Sequence, residues 1–591
     1  MRNAPRIAPY ALALLLASSF AGCTSATPAS SPAAAPNAPA TGGQPVAPRT
    51  GTKTITIGVT APVQAMGVMG NTTTSGGWLS TTEIHSDGLI TSDVHTRAPV
   101  GRLAEKVPSF DDGSIVILPD GRMRVTYNLR HNVTWQDGVP FTSQDLLFSY
   151  TFNSDKGLPT VQRDALDRIE SVEAPDANTF VINFKGPFYQ GAGLGVRAFW
   201  PQPEHLLISA YQKYLQDKNP EGVVNLPYWT SEYVHLGPFR LTSFDPQSGM
   251  AFQANDGYFL GKPKVDVVRI QTYTDTNTLF ANLLSSTVDL FPDIALSVQQ
   301  GFELKDRWDS TGQGTVYLKP GLTWFMAPQV RPSVQIEPAT LDVNVRAALY
   351  GMLDREGLAE GLLNGHRELA AYSLLPPGDQ LYASTKDSLR KYAYDPNRAK
   401  AMLQDAGWTQ GTDGAFHSSA DGRVFHTAIW TTPGFERDVA AIADNWRKLG
   451  LQVDEAVVPA AQVRNAEYRA GYPGWDLTAQ GNADAILGRL LGPPASAATR
   501  WVGNRGGYDD PTMRTAIERY QASLTLQDQL QTMKGISDLV AAELPLMPLY
   551  FLPEQLGVRK GVAALDDQDG GEEAAQYFGT FTRNAYLWDV Q

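Results

Sequence analysis

The stretch FHTAIWTTPGFERDVAAIADNWRKLGLQVDEAVV, residues 425–458, decides the fold class. Phe425 to Thr432 is rich in β-forming residues. Val439, Ile442, Trp446 and Leu449 then recur at helical spacing, Gly450 ends the stripe, and Leu451 to Val458 is extended again. Strand, helix and strand in that order predict one right-handed crossover unit with its two strands parallel. Open parallel sheets bind ligands beyond the carboxyl ends of their strands, and Trp430, Thr431, Thr432 and Pro433 occupy that end here.

The same alternation of strand-like and helix-like segments extends outward from this unit, with no internal repeat, so the body from Lys53 onward reads as α/β. Just upstream, Asp395-Pro396 supplies an N-cap and first helical residue; Ala399, Met402, Leu403 and Ala406 line one face, and Gly407 suits the left-handed position after the helix. Further back, Met123, Val125, Tyr127 and Leu129 alternate with polar residues, as do Phe180, Ile182 and Phe184 within Thr179 to Phe184, which predicts half-buried strands. Ile55 to Val59 reads as a first strand that leads into a long glycine-rich loop, Ala61 to Gly77.

A chain of 591 residues with 42% hydrophobic and 18% charged residues is too long for one core and too apolar to be disordered, so two or more lobes are expected. Net charge is −13, and the first 23 residues contain Arg2 and Arg6 but no acid, so the remainder is more acidic still. Such a surface repels nucleic acid, and none is expected as a partner. The single cysteine, Cys23, excludes disulfides, cysteine-ligated metals and thiol nucleophiles from everything after it. Met1 to Cys23 reads as a secretory signal: a basic start, an apolar run from Ile7 to Leu16 that is too short to span a bilayer, then small residues. Thr24 to Thr52 is almost entirely Ala, Pro, Ser, Thr and Gly and reads as a flexible spacer.

Motifs of the common enzymes are missing. No GxSxG elbow, Walker loop or HExxH helix occurs, and Gly191-Ala192-Gly193-Leu194-Gly195 has the wrong spacing for a dinucleotide site and reads as a loop. The eight histidines are scattered without metal-ligand spacing, so neither a metal nor any other cofactor is expected. A hydrolase built on two carboxylates is not excluded by the lack of a motif, but no spacing favours one.

An ordered series of segments carries a family resemblance: Tyr127-Asn128-Leu129-Arg130, Val133 to Gly138, Pro140-Phe141-Thr142 with Asp145, Gly237 to Leu241, Asn255 to Tyr258, Val288 to Leu290, Val345 to Leu349, Asp354-Arg355-Glu356, Tyr394-Asp395-Pro396, Ala406-Gly407-Trp408 and Leu544 to Tyr550. Together they resemble the family-five extracellular solute-binding proteins, which include the oligopeptide-, dipeptide- and nickel-binding components of ABC importers. The same segments have ordinary structural readings, such as an Asp-Gly turn at Asp137-Gly138 and a helix entry at Thr142 to Asp145, and they identify a scaffold rather than a ligand. Ala21-Gly22-Cys23 likewise resembles a bacterial lipobox, although Phe20 stands where Leu is usual; the resemblance implies a lipid on Cys23 that holds the body at a membrane surface outside the cytoplasm.

The resemblance implies a two-lobed periplasmic-binding-protein-like α/β fold with two hinge crossings: lobe I over 53–322 with an inserted subdomain at about 91–200, lobe II over 323–547, and a return to lobe I over 548–591. The crossings are expected near Tyr317 to Phe325 and Pro548 to Leu552. The implied function is that of a monomeric, non-enzymatic receptor that closes on a peptide or similar polar solute and delivers it to the permease of an ABC transporter. A sensory or adaptor lipoprotein on the same scaffold is the rival reading, and a chelated metal is a minor variant of the solute. By this resemblance Asp484, after Gln480-Gly481-Asn482-Ala483, is the candidate partner for a ligand ammonium; its competing reading is a helix N-cap ahead of Ala485. Asn482 beside it, Thr431, and the loop or strand-end tryptophans Trp200, Trp229, Trp324, Trp430 and Trp475 are further candidates, each with core packing as the alternative. Met66 and Met69 offer adaptable apolar walls, with Asn71 and Thr72 weaker choices.

Overall fold

The computed structural model describes residues 51–69, 81–94, 96, 98–160, 165–293, 295–463, 465–501, 503–565 and 580–591. Cys23, the signal segment, nearly all of the spacer, and Asn71 and Thr72 lie outside the described residues.

A ten-stranded sheet organises the body. Its order is Gln452–Val457, His426–Thr431, Trp475–Gln480, Gly314–Pro328, Met547–Arg559, Leu290–Pro292, Thr54–Val59, Val267–Thr272, Gly249–Ala254, Phe239–Asp245. The crossover unit forms as its sequence predicts: His426–Thr431 and Gln452–Val457 pair in parallel, and helix Glu436–Lys448 between them buries Val439, Ile442, Ala443 and Trp446. Gly450 follows at φ +103°, a conformation that costs glycine little and other residues much. Helix Pro396–Asp405 starts where Asp395 accepts a hydrogen bond from the Arg398 amide at 2.9 Å, and Gly407 at φ +86° follows its end.

Two strands, Gly314–Pro328 and Met547–Arg559, are far longer than the rest and pair with each other antiparallel, from Gly314 opposite Arg559 to Met326 opposite Met547. Leu290–Pro292 joins only at the Leu556–Val558 end, and Trp475–Gln480 only along Thr323–Pro328. The two halves of the sheet are thus bridged in the middle by this one ladder. There Pro320 faces Pro553, which removes two backbone donors, and the register shifts between Pro320 and Leu322. The segments expected to cross between lobes fall on these two strands.

Strand alternation distributes one strand among four cores. Tyr317 packs with Ile55 and Ile57, Val316 with Phe291 and Trp308, Trp324 and Met326 with Trp446 and Trp475, and Phe325 and Ala327 with Ile486 and Met533. A separate antiparallel sheet of Ile115–Ile117, Met123–Asn128, Thr179–Phe184 and Ile169–Asp176 lies within the span expected for the insertion and buries Val125, Tyr127, Phe180 and Ile182 in a core of its own. Thr142 and Asp145 form the capping box that begins helix Ser143–Asn153 beside it.

Buried histidine makes the first half of the body acid-sensitive. His235 is fully buried among Trp135, Trp200 and Tyr233, with Nε2 3.0 Å from the Pro201 carbonyl, and burial pushes its pKa down to about 3. The unfolded chain takes up a proton near the ordinary value of 6.5, so this contribution to stability is complete above pH 6.5 and is lost as pH falls toward 3; it amounts to roughly a few kcal/mol. His85, shifted down for the same reason, acts in the same direction. His235→Gln, which keeps a donor for Pro201, is expected to move the acid-unfolding midpoint to lower pH in a circular dichroism titration; an unchanged midpoint would refute the assignment.

Candidate functional site

The candidate site grows from the bridge between the halves. Glu554 is buried on the Met547–Arg559 strand, and a Cβ added to Gly321 would stand 2.1 Å from its Oε2. A Cβ on Gly481 would stand 2.9 Å from Leu322 Cδ2 and 3.9 Å from Glu554 Oε1. Both glycines therefore serve close approach: they let the buried carboxylate and the end of strand Trp475–Gln480 meet at the crossing.

Immediately after Gly481 the chain enters helix Ala483–Leu487. Its N-cap is Asn482, whose side chain accepts from the Ala485 amide at 2.9 Å, so the capping role weighed for Asp484 belongs to its neighbour because the helix starts earlier than that reading placed it. The Asp484 carboxylate instead accepts hydrogen bonds from the Tyr189 hydroxyl and, at 2.7 Å, from Gln190 Nε2. Tyr189 and Gln190 follow strand Thr179–Phe184 of the four-stranded sheet, 295 and 294 residues away in sequence. Tyr520 packs against Tyr189 with the rings tilted and their centroids 5.2 Å apart, and the Tyr189 amide donates to the Gln521 carbonyl at 3.1 Å. Burial, then the Asp484 charge, raises the Tyr189 pKa far above its ordinary value, so Tyr189 keeps its proton and donates.

The remaining candidates separate into groups. Met66, Trp200 and Trp229 come together in the first core: the Met66 amide donates to the Trp229 carbonyl at 2.6 Å, and Trp229 Nε1 donates to the Val223 carbonyl at 2.7 Å. Met69 packs against the same core and is only partly buried. Trp324, 4.3 Å from Phe435 by ring centroids, and Trp475, whose Nε1 donates to Thr427 Oγ1 at 3.0 Å, are buried together in the second core. Thr431 is buried as well. Trp430 alone among the candidate tryptophans is partly exposed, its ring tilted against Tyr468 with centroids 5.3 Å apart. Tyr189, Gln190 and Glu554 were not singled out from the sequence; the one local signal was Pro187-Phe188-Tyr189-Gln190 directly after a strand, and nothing there points to a partner almost 300 residues away.

On the first half, partly buried Arg197 lies in the field of Glu83, Arg583 and Asp293, and desolvation lowers its pKa to about 10, which leaves it charged. Among the described residues no group of three or more His, Cys, Asp or Glu is arranged to hold a metal ion, and no helix is long and apolar enough to cross a membrane.

The family model for "Bacterial extracellular solute-binding proteins, family 5 Middle" matches residues 98–499, more than half of the chain. The chain belongs to this family. Its members are extracytoplasmic binding proteins rather than enzymes. The oligopeptide-binding protein AppA of Bacillus subtilis is 24% identical over 372 residues, a match that covers 61% of this chain and 64% of AppA, so the chain spans less than two thirds of that relative's length. Among solved structures, the oligopeptide-binding protein of Thermus thermophilus complexed with a pentapeptide superposes with a TM-score of 0.73 at 20% identity, covering 91% of this chain and 96% of that one. NikZ of Campylobacter jejuni, in complex with Ni(L-His), gives 0.68 at 19% identity, covering 91% and 99%. These likenesses show the family's fold, the two-lobed periplasmic-binding-protein architecture.

Proposed function

We propose that this family member is a solute receptor for an ABC importer, which closes two lobes on a peptide or a similar polar solute and presents the closed form to a permease. The observation that carries the reading is the contact of Asp484, beside the crossing, with Tyr189 and Gln190 from the turn that follows strand Thr179–Phe184. A solute ammonium would add its own donor to this carboxylate, and a ligand held by both halves favours the shut state by as much as it binds that state better. The ladder thinned at Pro320 and Pro553 is the natural place for the bend. Trp430 is the candidate tryptophan with ring surface left to offer, and Met69 the methionine. The names of the relatives, two of them oligopeptide-binding and one in complex with a nickel chelate, support a peptide-sized polar solute.

Asp484→Asn is expected to weaken a peptide with a free amino terminus by about 10–100-fold, since a hydrogen bond to a charged group contributes roughly 1.5–3 kcal/mol. The N-acetylated peptide should bind the wild type with the same deficit and be indifferent to the substitution. Calorimetry with both peptides and both proteins makes the test; equal affinities throughout would remove Asp484 from the site. Recovery of the bound peptide intact supports a receptor, whereas cleavage products would indicate a hydrolase. Uptake that fails in a strain lacking the protein separates import from sensing.

Lipidation of Cys23 with the Thr24 to Thr52 spacer as tether completes the reading and places the receptor on the outer face of a membrane. The full chain is expected to partition into detergent and its Cys23→Ser variant into buffer; wild-type protein found wholly in buffer would contradict the anchor.

A further inference from the structure

Asp476 on strand Trp475–Gln480 is almost completely buried, and three guanidiniums converge on it: Arg469 Nη2 at 3.1 Å from Oδ1, Arg505 Nη2 at 2.8 Å and Arg489 Nη1 at 3.7 Å from Oδ2. The arginine side chains retain only 9%, 14% and 16% of their exposure. They come from helix Ala466–Ala470, the loop ahead of helix Pro511–Gln521, and the turn after helix Ala483–Leu487. One arginine balances one aspartate, so two positive charges are in excess. Burial and the neighbouring Arg505 lower the Arg489 pKa to about 10, so it remains charged at neutral pH. The next groups outward add no negative charge: Tyr472 is a phenol held protonated by burial, and Arg331 is a fourth cation that already donates to the carbonyls of Ala470 and Ala495. Arg469 Nε is buried without an acceptor.

Buried excess charge costs several kcal/mol unless a counter-charge reaches it. Trp430 pairs directly with Asp476 across a parallel ladder, so both side chains lie on one face of the sheet, and Trp430 and Tyr468 keep exposed ring surface beside the cluster. Arg489 is five residues beyond Asp484, at the other end of the same short helix. We infer that Arg469, Arg489 and Arg505, held in place by Asp476, form a subsite for an oxyanion group of the captured solute, a carboxylate or a phosphate, with Trp430 and Tyr468 flanking its entrance. The inference rests on the receptor reading and adds the solute's chemistry: an acidic group placed on the second lobe.

Calorimetry on the full chain tests it with matched peptides that carry glutamate, phosphoserine or glutamine at one internal position, each also made as its carboxyl-terminal amide. The wild type is expected to bind at least one acidic member at least tenfold tighter than its neutral match, and Arg489→Gln or Arg505→Gln to abolish that preference; which acid is preferred identifies the source. Because the wild-type comparison needs no variant, a variant that fails to fold does not rescue the idea. Neutral and acidic peptides bound equally well overturn the subsite and leave the receptor standing. If no peptide of either kind binds, the receptor reading fails with it. Inorganic phosphate alone that stabilises the wild type as much as the acidic peptides do assigns the arginines to a free anion and overturns the solute assignment.

Discussion

Trp475→Ala is expected to cost about 3–5 kcal/mol, the usual loss when a large aromatic is truncated inside a packed core. Trp475 is fully buried, its ring centroid is 5.4 Å from that of Trp446, and its indole donates to Thr427 Oγ1. Truncation leaves a cavity at the centre of the second core and strands that hydroxyl. Denaturant unfolding followed by far-ultraviolet circular dichroism should show the midpoint falling sharply. Trp430→Ala, which removes a partly exposed ring from Tyr468, should change stability by less than about 1 kcal/mol and act on solute affinity instead. The opposite ranking, with Trp475→Ala as stable as wild type and deficient in binding, would return Trp475 to the ligand site.

Asp476→Asn is expected to destabilise by about 3–5 kcal/mol, because it keeps the shape of the side chain while leaving three buried guanidiniums without the carboxylate they share. The loss comes from the orphaned charges rather than from a missing contact, so it should shrink when an oxyanion is supplied: phosphate is predicted to raise the melting temperature of the variant more than chloride at equal ionic strength. A variant that melts with the wild type would mean that the arginines are satisfied by solvent.

The crossover unit was legible because its signals are local. Val439, Ile442 and Trp446 mark one helical face, Gly450 ends it, and right-handed connection then fixes the parallel pairing of His426–Thr431 with Gln452–Val457. The Thr142–Asp145 box and the Asp395 cap were readable for the same reason. Trp475 carries a local signal as well: Trp475, Leu477 and Ala479 alternate with Asp476, Thr478 and Gln480, which puts the tryptophan on the apolar face and the aspartate on the other. Position at a strand end suggested exposure; the alternation was the better guide. The candidate site was less accessible. Asp484 was reached through a family resemblance, but its partners Tyr189 and Gln190 come from a turn after another sheet, and the three arginines at Asp476 come from three separate segments. Nothing in local spacing encodes contacts that only the tertiary fold creates.

If solute brings the two halves together about the Pro320–Pro553 pairing, the distance between them changes on binding. In a Cys23→Ser background, spin labels at Lys213, on helix Glu204–Asp217 of the first core, and at Gln404, on helix Pro396–Asp405 of the second, report that distance. Addition of a mixture of tri- to nonapeptides is predicted to shorten and narrow the distribution in wild-type protein and to do so far less in Asp484→Asn. A distribution that stays the same in wild type at the highest soluble peptide concentration contradicts the account.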